Sequence, residues 1–343
     1  MLKLQTALSQ LLSIVLLALL ATMAMSTAHG AQRAAAIEYD FVERPAGLPD
    51  SFAAPPGVSL RFLAITTLDG FKVDAALWEP ETQRAGGPLV ITVHGSGGNF
   101  TGPPQGFLSR GLAGKGTSVL AINTRQHDGG VNKDNFLDTR RDIEAAVYTG
   151  RALGYPALVL HGHSLGNIQV QYYAANNWDP DIKAVILSGM FGNLPWKSRH
   201  ILIENEDNFR QLTEAANAAL RAGTAADVLP VRMGWVTGEQ VPISGQHFLT
   251  YRLEGTSVAD GTYWIRRIPR PILMLRDEGD AIVQPFEPYM LLSAATAEGS
   301  LVPEIKYVML PNPKGRSPAA HGFIDNQQQL VDTIAGWLAE RKL

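Results

Sequence analysis

From Leu89 onward the chain is punctuated by short, continuously apolar runs: Leu89 to Val93, Ser118 to Asn123, Ala157 to His161, Ala184 to Ser188, Pro271 to Arg276 and Ile305 to Leu310. A strand with one face in water alternates apolar and polar residues. Runs without alternation are covered on both faces, as in a parallel sheet flanked by its own crossover helices. The intervals supply those helices. Ile143, Ala146, Val147 and Leu153 follow helical spacing, with Gly154 as C-cap, and Leu330, Ile334, Trp337 and Leu338 form a comparable stripe near the end of the chain. The class is therefore α/β, with a mostly parallel central sheet and helices on both faces. Ahead of it, Val58 to Thr67 and Phe71 to Trp78 are β-rich runs around the turn dipeptide Asp69-Gly70, which predicts a hairpin at the sheet edge.

One interval is too long for a simple crossover. Roughly eighty residues separate Met190 from Ile268, far more than a connection needs, so residues 190–268 are read as a cap inserted into a domain spanning 58–343. Within it, Glu204, Glu206 and Asp207 precede Phe209, Leu212, Ala216 and Leu220, with Gly223 following, which predicts a helix carrying acidic residues at its positive end. Trp196, Trp235, Phe248, Tyr251, Tyr263 and Trp264 also fall there. If they line a pocket, they favour apolar or aromatic substrate groups over short charged ones, since a charge buried without a partner is strongly disfavoured. Residues 31–57, rich in Ala, Pro and Gly, show no period and read as an irregular surface arm.

Residues 1–30 have the form of a signal peptide: Lys3, an apolar stretch centred on Ile14 to Leu20, and no charged side chain between Lys3 and Arg33. Ala28 and Gly30 suit cleavage before Ala31, with Ser26 and Ala28 as a competing site. The expected location is periplasmic or secreted, without stable membrane insertion after cleavage; the alternative is an anchor retained through an uncleaved segment. The chain has no Cys, which excludes disulfides, thiolate ligands and a Cys nucleophile. A net charge of -3 and the lack of basic runs argue against nucleic acid as partner.

The sharpest local signal is Gly162-His163-Ser164-Leu165-Gly166, a G-x-S-x-G sequence directly after an apolar run and before the helix-compatible Asn167 to Asn176. A serine there sits on a sharp, strained turn at the positive end of a helix. Its hydroxyl needs a base. Of the eight His, His321 is best placed, in the loop from Pro311 to Gly322 after the last strand. The imidazole in turn needs a carboxylate at another strand end. Asp280, after Gly279, fills that place, with Asp277 and Glu278 as rivals in the same turn. His94-Gly95-Ser96-Gly97-Gly98-Asn99 follows Leu89 to Val93 and lacks the Lys-Ser/Thr of a phosphate loop. It is read as an oxyanion loop, with the N–H of Ser96, or of Gly97, as one donor and that of Leu165 as the other.

With HGSGG, GHSLG, GD and HGF in this order, the chain resembles an α/β-hydrolase from about Val58 to Leu343. The resemblance implies the α/β-hydrolase fold, a Ser164-His321-Asp280 triad, His94 bracing the oxyanion loop, and ester, thioester or amide hydrolysis without a cofactor. Asn167 stands where a further Gly is common, and the oxyanion loop is not of the HGGG type. Ser at 164 separates the chain from dehalogenases and epoxide hydrolases, which use Asp. No His spacing suggests a metal site. The expected partner is a small-molecule ester or amide, with amide hydrolysis, or a non-catalytic binding protein of the same fold, as the alternative readings.

Overall fold

The Asp69-Gly70 turn closes a long hairpin: Thr67 N–H donates to the Phe71 carbonyl at 2.9 Å, and Gly70 takes the positive φ of 79° that the turn requires. The computed structural model describes residues 37–82, 86–235 and 238–343, so the leader read over residues 1–30 lies outside the described residues. The hairpin strands are β2 (Val58–Thr66) and β3 (Lys72–Pro80), preceded by β1 (Glu38–Val42). β1 corrects the reading of 31–57 as irregular. It pairs antiparallel with β2 from Glu38↔Thr66 to Val42↔Phe62, so β1, not the hairpin, forms the edge. Ile37 and Tyr39 pack onto the core, and Phe41, next on the same face, meets the Tyr39 ring edge-on and stays exposed beneath Arg61.

The covered strands follow: β4 (Leu89–Val93), β5 (Ser118–Ile122), β6 (Leu158–His163) and β7 (Ile182–Ser188), then, after the two-residue strands β8 (Met233–Gly234) and β9 (Gln240–Val241) of the insertion, β10 (Ile272–Asp277) and β11 (Ile305–Leu310). The sheet order is β1-β2-β3-β5-β4-β6-β7-β10-β11, parallel from β5 to β11. The chain leaves β4 towards β5 on one side and returns to β6 on the other, so the switch point lies between β4 and β6. A crevice opens at such a point beyond the carboxyl ends of the strands. The longer helices are α1 (Gln105–Gly114), α2 (Thr139–Ala152), α3 (Leu165–Asn176), α4 (Glu206–Ala222), α5 (Glu287–Thr296) and α6 (Gln327–Glu340). Two apolar clusters, one on each face of the sheet, form the core. Leu63, Leu120, Leu160 and Met274 belong to one, and Trp78, Val159, Leu275 and Trp337 to the other. Among the described residues no helix is long and apolar enough to cross a membrane.

The inserted segment leaves and rejoins the sheet through a narrow neck. Gly261 N–H donates to the Gly192 carbonyl at 2.8 Å and Leu194 N–H to that of Ala259 at 3.1 Å, around an antiparallel bridge between Asn193 and Asp260. Between them the segment has its own core, in which Phe209, Leu212 and Ala216 of α4 meet Met233, Ile243 and Phe248. Asn205 caps α4 by accepting from Asn208 N–H at 2.8 Å, and Gly223 ends it in the left-handed conformation. Leu220, expected on the inner stripe, is exposed, because the buried face ends near Ala216.

Lys197 fastens this inserted segment to the loop after β10 and to the start of α5. Its Nζ lies 2.6 Å from Glu287 Oε2, with both side chains 2% exposed, and donates to the Ile282 carbonyl at 3.0 Å. Removing one partner leaves the other charge buried and alone. Lys197→Met is expected to destabilise the protein by about 3–5 kcal/mol, and Lys197→Met/Glu287→Leu to recover most of that loss. Chemical denaturation of the three proteins checks this; a double variant as unstable as the single one would contradict it.

Candidate active site

β6 ends at His163 and α3 begins at Leu165, so Ser164 alone makes the turn, with φ 52° and ψ -121°. A side chain at positive φ is strained and persists only where its surroundings enforce it. Here the close approach of neighbouring chain does so. A Cβ on Gly162 would lie 2.4 Å from the Gly166 carbonyl oxygen, and one on Gly166 would lie 2.5 Å from the carbonyl oxygens of Val93 and His94. Ser164 N–H donates to the Ser188 carbonyl at 3.0 Å. Asn167, the residue that departs from the usual glycine, donates its side-chain amide to the Ser164 carbonyl and accepts from Gln171 at 2.9 Å.

The loops after β10 and β11 are laced together. Ser317 N–H donates to the Gly279 carbonyl at 2.9 Å, and Ser317 Oγ caps the short turn Pro318–His321 by accepting from Ala320 N–H at 3.2 Å. This sets His321 Nδ1 2.8 Å from Asp280 Oδ2. The other oxygen, Asp280 Oδ1, accepts from the N–H groups of Ile282 at 2.8 Å and Val283 at 3.0 Å. Burial by itself would raise the Asp280 carboxyl; the hydrogen bond and charge of His321 and the two amides outweigh it, holding the group below its ordinary value. Gly279 matters through space: a Cβ there would meet the Gly315 carbonyl oxygen at 2.4 Å.

The rival carboxylate does something else. Asp277 Oδ1 accepts from Gly279 N–H at 2.8 Å and Asn312 Nδ2 at 2.9 Å, and its Oδ2 accepts from Asn326 Nδ2 at 2.8 Å. Asp277 thus ties the acidic turn to the histidine loop and to the start of α6, and both its oxygens are occupied.

At the end of β4, Thr124 N–H donates to His94 Nε2 at 3.0 Å. The proton of His94 therefore sits on Nδ1, which donates to the Gly95 carbonyl at 2.7 Å. This brace presses Gly95 against the elbow, where a Cβ would stand 2.8 Å from Ser164 Cβ. Ser96 follows at the rim beside Ser164, and Leu165 N–H, in the first turn of α3, has no carbonyl of its own helix to meet. Beneath the elbow, His161 is enclosed between Thr92 Oγ1, 2.7 Å from its Nδ1, and Ser188 Oγ, 2.9 Å from its Nε2. Ser188 also lies 3.2 Å from His163 Nδ1. Ser188 is wholly buried, so this serine-histidine contact supports the turn and meets no ligand.

Burial pushes His94 down to about 4 and His161 down to about 3. Both stay neutral in the folded protein while the unfolded chain takes up protons below about 6.5. Their contribution to stability is therefore complete above that pH and is lost as the pH falls towards the folded values. Each loses on the order of 1–2 kcal/mol by pH 5, so the melting temperature should fall by roughly 5 °C or more between pH 7.5 and pH 5. A melting temperature that is flat over this range would contradict the neutral, buried state of these rings.

Ser164 stands where two hollows meet. One, of about 410 Å³, is lined by His321, His163, Pro318, Ala319 and the Gly95-Ser96 loop. The other, of about 390 Å³, lies under the cap between Leu165, Phe191, Leu194, Ile201, Leu202, Trp235 and Ile282. Of the cap aromatics singled out in the sequence, only Trp235 lines the second hollow. Trp264 donates to the Val258 carbonyl at 2.7 Å and packs on Tyr172, Tyr251 packs on Phe136, and Trp196 stands against His200 and Phe286. Sequence reasoning missed the buried cations Lys197 and Arg252, which line the same hollow. No local pattern marks either of them.

The family profile of the α/β hydrolase fold matches residues 88–303. No curated protein matches. Among solved structures, the chain is similar to Est1E from Butyrivibrio proteoclasticus with ferulic acid bound, at 19% identity and a TM-score of 0.57 over 79% of this chain and 96% of that one. It is also similar to the esterase domain of a Rhodothermus marinus protein, at 23% identity and TM-score 0.53 over 82% and 98%, and to a thermostable carboxyl esterase from Bacillus coagulans in complex with glycerol, at 15% identity and TM-score 0.59 over 82% and 98%. At these identities the likeness is one of fold.

Proposed function

The chain belongs to the α/β hydrolase fold family, and from that premise we propose that it hydrolyses carboxylic esters through an acyl-enzyme formed on Ser164. The observation that carries the reading is the 2.8 Å bond between His321 Nδ1 and Asp280, which leaves the opposite nitrogen, buried and without a protein partner, on the hollow that Ser164 also lines. His321 Nε2 takes the proton from Ser164 Oγ as the hydroxyl attacks the ester carbonyl, and Asp280 stabilises the imidazolium that forms. The N–H groups of Ser96 and Leu165 meet the developing oxyanion. His321 then hands its proton to the departing alkoxide, so the alcohol leaves through the hollow on its own side. The acyl group lies under the cap, and water, activated by the same imidazole, releases it.

The test is labelling with a fluorophosphonate followed by peptide mass analysis, together with p-nitrophenyl esters and p-nitroanilides of matched acyl groups. Label on Ser164 and faster turnover of esters are expected. Anilide cleavage at an equal rate would transfer the reading to amide hydrolysis, and folded protein that takes no label would refute both.

A further inference from the structure

Arg252 is a charge the hydrolytic chemistry does not use. It lines the hollow under the cap, and only 2% of it is exposed. Its Nη1 and Nη2 reach neutral groups at the limit of hydrogen bonding, Ser198 Oγ at 3.3 Å and Asn132 Oδ1 at 3.4 Å. Its Nε–H, also buried, has no acceptor among the described residues. The guanidinium stands 4.8 Å from the centre of the Trp235 ring. Among the described residues it forms no ion pair with a carboxylate. The nearby acid is engaged elsewhere, since Asp134 holds His247 Nδ1 at 3.1 Å and the Tyr251 hydroxyl. Burial lowers the guanidinium to about 10, with Tyr251 and Asp134 opposing, which leaves it charged at neutral pH.

The other charges of the hollow do not serve a ligand in the same way. Lys197 is consumed by Glu287, and Glu239, just ahead of β9, is exposed. The hollow that Ser164 and Arg252 both line is walled largely by apolar side chains, among them Phe191, Leu194, Leu202 and Ile282. A fork of donors desolvated at the edge of an apolar hollow matches a planar anion joined to a hydrocarbon spacer, because a carboxylate accepts two parallel N–H bonds from one guanidinium.

We propose that Arg252 binds a carboxylate at the far end of the acyl group, so that the preferred substrates are half-esters of linear dicarboxylic acids. This rests on the ester-hydrolase reading, and it replaces the apolar or aromatic preference expected from the cap sequence. The test compares mono-p-nitrophenyl adipate with p-nitrophenyl hexanoate, which share the leaving group and the chain length. The expected ratio of kcat/KM favours the adipate by at least about tenfold, since a site built to bond a polar group discriminates against its absence. Arg252→Met should lower that ratio at least about tenfold, with Arg252→Lys in between, because ammonium keeps the charge and loses the fork. Free adipate should inhibit wild-type hydrolysis of the hexanoate competitively.

A wild-type ratio near one, or a ratio unchanged in Arg252→Met, would overturn the proposal, and the first of these needs no variant to fold. If neither ester is turned over, the ester reading fails by itself. Titration of the wild-type protein with adipate, followed by tryptophan fluorescence, then decides the binding claim through Trp235: a saturable change supports it, and no change overturns it.

Discussion

Exchanging Ser164 for alanine is expected to lower ester turnover by about five orders of magnitude, with the fold retained. On the proposed mechanism the loss follows from removing the nucleophile while the proposed oxyanion donors and the hollows stay in place, so some catalysis above water survives. Five orders correspond to roughly 7 kcal/mol of transition-state stabilisation. The fold tolerates the change because alanine keeps the Cβ that the elbow already accommodates at φ 52°, and the main-chain bond from residue 164 to the Ser188 carbonyl is unaffected. Active-site titration and circular dichroism on the same preparation check both halves. Activity within tenfold of the parent would remove Ser164 from the reaction.

The second large effect separates two buried aspartates three residues apart in one turn. In Asp280→Asn the amide oxygen can still accept from Ile282 and Val283, which turns the NH2 towards His321 Nδ1. The ring must then accept there and carry its proton on Nε2, the tautomer that cannot take a proton from Ser164. A loss of about 10³- to 10⁴-fold in kcat is expected, with little change in melting temperature. Asp277→Asn should behave in the opposite way. Its oxygens receive the amides of Asn312 and Asn326, and an NH2 in place of one oxygen faces donor with donor, destabilising the protein by about 1–3 kcal/mol. Below its melting temperature that variant should keep activity within tenfold. Equal kinetic losses from both substitutions would mean that the turn, and not Asp280, sets the imidazole.

What the sequence made legible has a common physical cause. Residues under a local steric or burial constraint announce themselves: the covered strands by unbroken apolar runs, the elbow by Gly162 and Gly166, the hairpin by Asp69-Gly70. Groups whose role arises from long-range packing do not. Arg252 and Lys197 are ordinary basic residues in sequence and become buried only when the cap folds down. The division of labour between Asp277 and Asp280 depends on Asn312, Asn326 and His321, which lie 35, 49 and 41 positions away from their partners. The cap aromatics show the converse error. Their composition suggested a lined pocket, yet most of them satisfy the packing of the cap and of its seam with the sheet. β1 was missed because its pairing with β2 fixes it more than any inward-facing pattern of its own.

The neck at Asn193 and Asp260 carries a consequence for how such a chain can change. Because Gly192, Leu194, Ala259 and Gly261 are already joined main chain to main chain, the two ends of the segment between them stay together whatever its length. The entropy of closing the loop grows only slowly with added residues. The segment can therefore be exchanged for one of different size or shape as a cassette, provided that the replacement still answers the buried charge of Glu287 as Lys197 does, so that Ser164, Asp280 and His321 keep their places while the walls around them change.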